Sequence, residues 1–141
     1  LKFSEIEKER WDELSPYLDT CLLPVTGMTG MEKPHEATER LEELRDMLDL
    51  VEIPFKGRVV TYPACHYQFE GAEFAQGVEE IVKRLKASGF AYVILATASA
   101  MPKLDECGAD LILRPDATGE RPDSTAVAKL VKELWMGGAP S

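Results

Sequence analysis

The chain has 141 residues, 45% of them hydrophobic, and carries 25 acids against 16 lysines and arginines for a net charge of −9. That length and apolar fraction suit one globular domain with a buried core, while the acidic balance argues against a phosphate-backbone partner, so no nucleic acid is expected. No apolar run approaches the roughly 20 residues that cross a bilayer, so no membrane insertion is expected either.

The start LKFSEIEKERW is acidic instead of basic and then apolar, unlike a secretory leader. Ser4 and Glu7 have the spacing of a capping box and predict a helix through Trp11 to about Leu14, before Ser15-Pro16. DTCLLPV, residues 19–25, is a compact apolar run too short for a helix, followed by the turn-rich TGMTG, and predicts the first strand with Pro24 near its end. After Pro34, Ala37, Leu41, Leu44, Leu48 and Val51 recur at three- and four-residue steps and predict an amphipathic helix ending before Pro54. RVVTYP is the second strand.

Phe74, Val78, Ile81, Val82 and Leu85 form one apolar helical face that Gly89 closes. AYVILAT, residues 91–97, is a continuous apolar run of the kind a central parallel strand requires. A short helix from about Met101 to Cys107, a fourth strand in ADLILRP, and a last helix starting at Asp123 or Ser124 and burying Val127, Leu130, Val131 and Leu134 complete the order. This alternation predicts a single three-layer α/β/α domain over residues 1–136, with residues 137–141 as a tail. The expected sheet is four-stranded, mostly parallel and Rossmann- or flavodoxin-like, in order 2-1-3-4, with the extra N-terminal helix covering an edge or face.

Such sheets bind ligands beyond the carboxyl ends of their strands, which selects four loops. In TGMTG, Thr26, Gly27, Thr29 and Gly30 offer hydroxyls and backbone N–H groups to an anion, without the GxGxxG or GxxxxGK[ST] patterns of nucleotide folds. In ACHYQFEG, Cys65 beside His66 is the one catalytic candidate, a thiol with a neighbouring base. Adjacent side chains of an extended segment point to opposite faces, so a pair needs a sharp turn there; otherwise they are a half-buried cysteine and a hydrogen-bonding histidine. Thr97 and Ser99 follow the most apolar strand without a GxSxG elbow. The long loop PDATGERPDS supplies Asp116 and Arg121 as ligand-binding candidates, with Arg114 beside it.

Cysteines at 21, 65 and 107 are odd in number and widely spaced, which implies reduced thiols and a cytoplasmic location. The spacing of Cys65, His66, His35, Asp116 and Asp123 forms no metal-binding set, and no cofactor is expected.

YLDTCLLPV followed by FKGRVVTYPACHY resembles the Tyr-hydrophobe-Asp-Thr, Leu-Pro and Phe-Lys-Gly-Arg pattern of the YpiF-like family of uncharacterised proteins from spore-forming Gram-positive bacteria. The resemblance is strongest over the first half and implies a small cytoplasmic bacterial domain. It brings no catalytic residues; Asp19, Thr20, Lys56 and Arg58 match its pattern, with Asp19 and Thr20 at the end of the first strand opposite the ligand edge. Two functions follow as expectations: a non-catalytic α/β protein working through a protein partner or as a homo-oligomer, or a domain, enzymatic or not, that binds a small molecule or phosphate-type anionic ligand with Thr26, Gly27, Cys65, His66, Thr97, Ser99 and Asp116 around one crevice at the strand ends.

Overall fold

The computed structural model describes residues 1–68, 72–99, 104 and 107–137. Among these, the strands are β1 (Thr20–Met28), β2 (Val59–Thr61), β3 (Cys65–Tyr67), β4 (Tyr92–Thr97) and β5 (Leu111–Leu113), and the helices are α1 (Lys8–Leu14), α2 (Pro34–Glu52), α3 (Ala72–Ala87) and α4 (Ser124–Trp135). All paired strands are parallel, in the order β2-β1-β4-β5, with β3 also against β1. The two most apolar strands therefore lie in the middle, as expected for runs that need burial on both faces.

Strand alternation divides the core. Cys21, Leu23, Val25, Val93 and Leu95 face α3, where Val78, Val82 and Leu85 meet them, while Leu22, Ile94 and Ala96 face α2 and α4. Trp11 of α1 packs against Phe90 at 6.1 Å between ring centroids, and Phe90 meets Tyr62 edge-on at 5.3 Å, so the N-terminal helix covers the α3 face. The sheet edge beside β2 is paired as well, since the Thr61 N–H donates to the Leu1 carbonyl at 2.7 Å and Lys2 forms a parallel bridge with Thr61.

Four expectations change. The sheet has five strands instead of four, because Cys65–Tyr67 adds a further strand against β1. The first helix does not start at a Ser4 cap: Phe3–Glu5 is a single 3-10 turn, Ile6 is extended, and α1 begins at Lys8 after an extended Glu7. Ile6 packs on the α3-side core, and holding it there breaks the helical run. In α2 the buried stripe is Leu44, Met47 and Val51, whereas Leu41 is 43% exposed, so only the C-terminal part of the helix lies on the sheet. The first strand does not stop at Val25 but runs through TGM to Met28, because β3 gives that extension a partner in Val25↔Cys65 and Met28↔Tyr67. The short helix expected at Met101–Cys107 and the tail at 137–141 lie mostly outside the described residues.

Pro24 sits inside a central strand, where a proline ordinarily breaks the ladder. Thr20 donates to Arg58 and Leu22 accepts from Tyr62, so even-numbered residues of β1 direct their backbone groups toward β2. The missing donor of Pro24 thus falls at Tyr62–Ala64, where the neighbouring strand is itself interrupted around Pro63.

Candidate functional site

The carboxyl ends of β1, β3, β4 and β5 carry the sequence candidates, and the structure places each one in a local network. Thr26 is buried in β1 instead of standing in a loop, and its Oγ1 lies 2.9 Å from the Nδ1 of His66. Gly27, with φ of 79°, occupies a backbone region that favours glycine, and its carbonyl accepts a hydrogen bond from the Gln68 amide at 3.1 Å.

The N–H groups of Thr29 and Gly30 converge on one carboxylate. It is that of the chain's own Glu32, which accepts from the Thr29 N–H at 3.0 Å, the Gly30 N–H at 2.9 Å and the Thr29 hydroxyl at 3.2 Å. The Thr29 N–H foremost, and then the other donors, hold the Glu32 carboxyl below its usual range. These donors are thus engaged within the loop itself.

Cys65 and His66 lie in β3, and so in the extended geometry that separates neighbouring side chains. Cys65 packs against the α3-side core, where burial pushes its thiol up, away from the thiolate form. His66 is exposed and turned to Thr26. The sharp turn that would make them a thiol-base pair is absent from the described backbone. Cys21 is fully buried, its thiol pushed up to about 12 by desolvation, and Cys107 is buried too.

The Thr97 hydroxyl accepts from the Ser99 N–H at 3.2 Å, a local turn at the end of β4. Asp116 organises its own loop. Its Oδ1 accepts from the Thr118 hydroxyl at 2.6 Å and from the N–H groups of Thr118 and Glu120, both at 2.9 Å. The Thr118 hydroxyl is the largest cause that lowers this carboxyl. Arg121 pairs with Asp46 of α2 at 3.5 Å, and Asp123 caps α4 by accepting from the Ala126 N–H at 2.7 Å.

Two concavities stand out. A small one of about 450 Å³ is bounded by Arg114, Asp116, Arg121 and Asp123, and brings two of the ligand candidates together. The larger, about 760 Å³, is an open groove on the outer side of the α2/α4 layer. Its apolar lining is Leu50, Ile53, Pro54, Ala128 and Met136, and Ile53 and Met136 are 66% and 84% exposed. Neither is lined by Thr26, Gly27, Cys65, His66, Thr97 or Ser99. Among the described residues, no group of three or more His, Cys, Asp or Glu side chains is placed to hold a metal ion, and no helix is long and apolar enough to cross a membrane.

Sequence reasoning missed the groove: Leu50 packs partly on the α2/α4-side core and Ile53 lies just past the end of α2, so no separate apolar stripe marks the groove in the sequence. It placed Asp19 and Thr20 at the amino end of the first strand but did not connect them to Arg58 and Trp135. Arg58 holds Asp19 through Nε at 2.9 Å and Nη2 at 3.1 Å and lies 4.2 Å from the centroid of a Trp135 ring. The Trp135 indole N–H donates to the Thr20 hydroxyl at 2.9 Å. These bonds give Asp19, Thr20 and Arg58 a structural task, pinning α4 to the amino ends of the strands.

Compared with known proteins, the chain matches the family described as "Protein of unknown function (DUF2487)" over residues 9–135. No curated protein and no solved structure matches it.

Proposed function

The chain belongs to that family, whose description assigns no activity, and from this premise we propose that it is a non-catalytic α/β module that works by docking a protein on its α2/α4 face. The observation that carries the proposal is the groove itself, which brings the apolar Leu50, Ile53, Pro54, Ala128 and Met136 together with charged side chains and leaves Ile53 and Met136 exposed. Exposed apolar side chains gathered on one face mark protein interaction sites. The strand ends support it from the other side, since their polar groups are engaged with one another. The motifs YLDTCLLPV and FKGRVVTYPACHY support the finer placement with the YpiF-like proteins, hence a bacterial, cytoplasmic, Rossmann-like domain.

The test is a photo-crosslinking amino acid placed at Met136 in the source cells, with Tyr17, 70% exposed and away from the groove, as control. Discrete protein adducts are expected from Met136 and not from Tyr17. A groove position that yields no adduct overturns docking.

A second proposal, an anionic ligand, has its support in the small concavity, where Arg114 and Arg121 flank the amino end of α4. Asp116, Glu120 and Asp123 line the same space and oppose an anion, so docking ranks first. Thermal shift with inorganic phosphate tests it: a rise in Tm with phosphate that Arg121→Ala removes supports the ligand, and no rise refutes it.

A further inference from the structure

We propose that the occupant of the α2/α4 groove is a second copy of this chain, seated about a two-fold axis. The inference rests on the docking function proposed above and names its partner. The apolar lining fits a partner of similar character, and the charges beside it select which.

Helix α2 carries seven acids, Glu36, Glu39, Glu42, Glu43, Asp46, Asp49 and Glu52, against two arginines, a net of −5. Helix α4 carries Lys129 and Lys132 against Glu133, a net of +1. At the groove these meet as Asp49 on the α2 wall and Lys129, Lys132 and Glu133, a net of +1, on the α4 wall. A partner must therefore present a cation opposite Asp49 and carboxylates opposite the two lysines. The same face of another copy, turned through 180°, presents both, with α4 over α2 and α2 over α4. That is the self-complementarity a two-fold interface demands.

Two magnitudes bound the strength. The whole-chain charge of −9 repels a second copy, but at about 0.15 M salt the screening length is about 8 Å, so distant charges fade while contacts at the groove rim persist. At a rise of about 1.5 Å per residue, α4 is about 18 Å long and α2 about 28 Å; with diameters near 10 Å, the pair offers about 400–500 Å² per copy. That is below the roughly 800 Å² per partner of a standard interface, so the dimer is reversible and concentration-dependent.

Sedimentation equilibrium of the purified chain tests this. The wild type is expected to pass from monomer to dimer between about 1 µM and 0.5 mM, and Ile53→Asp to raise the dissociation constant at least tenfold, about 1.4 kcal/mol. Ile53 is two-thirds exposed, so the substitution spares the core, and an unchanged circular dichroism spectrum verifies that. Charge exchange supplies the second arm: Asp49→Lys and Lys132→Glu each weaken the homodimer, and mixing the two restores association as a heterodimer. A wild type that stays monomeric throughout, or a dimer indifferent to Ile53→Asp and to the exchange, overturns the second copy. Docking survives that result if the Met136 cross-linker captures a different polypeptide, and falls with it if the cross-linker captures nothing.

Discussion

Met47→Ala should destabilise the protein severely while Leu41→Ala, six residues earlier on the same helix, should leave it nearly unchanged. Met47 is 0% exposed and sits with Leu22, Val51, Ile94 and Val131 in the cluster between the sheet and the α2/α4 layer, whereas Leu41 is 43% exposed. Truncating a buried methionine removes its transfer free energy and leaves a cavity, together about 2–5 kcal/mol; truncating an exposed leucine stays within about 0.5 kcal/mol. With about 2.1 cal/mol/K of unfolding entropy per residue, this chain has about 0.3 kcal/mol/K, so a loss of about 3 kcal/mol lowers Tm by about 10 °C. Urea unfolding by circular dichroism measures both variants, and an unchanged m-value certifies that the shift is one of stability. Equal losses, or a Leu41→Ala loss above about 1.5 kcal/mol, would refute the burial pattern assigned to α2.

Trp135→Phe removes the indole donor to the buried Thr20 hydroxyl and weakens the Arg58 contact, and is expected to cost about 1–2 kcal/mol in the same unfolding assay. Asp123→Ala removes the α4 cap and should cost about 1 kcal/mol, with Asp123→Asn close to wild type. Alkaline pH should destabilise the fold through Cys21. Its thiol ionises near 9 when exposed and at about 12 in the folded chain, so the unfolded state loses its proton first. The contribution is complete below pH 9 and is lost as pH rises toward 12, with a slope of at most about 1.4 kcal/mol per pH unit. Stability measured from pH 8 to 11 should fall less steeply in Cys21→Ala, and an identical slope would rule the effect out.

Where one residue's chemistry has one structural outcome, the sequence was legible. AYVILAT has no polar face to give to water, so it lies between two other strands; the Phe74–Leu85 stripe and the positive-φ glycine at 89, with φ of 127°, mark α3 and its end. Where the outcome depends on a partner distant in sequence, legibility failed. TGM is turn-rich by composition but becomes strand because β3 is there to receive it, and CHY is too short for alternation to declare itself. Local composition was informative about chemistry and silent about who satisfies it: TGMTG offered donors, and only geometry showed them engaged by Glu32. The groove escaped for a related reason, since it forms only where the end of α2 meets α4, two segments far apart in sequence.

The paired interruption at Pro24 and Pro63 divides the edge of the sheet into two cooperative units. Val59–Thr61 is locked between β1 and the amino-terminal residues, whereas Cys65–Tyr67 holds to β1 across a register shift and beyond a gap in the ladder. The second segment can therefore peel away without unzipping the first. In native-state hydrogen exchange the Thr61 and Tyr62 amides should report global unfolding, while the Gln68 amide, bonded to the Met28 carbonyl at 2.8 Å, should exchange through a smaller, local opening.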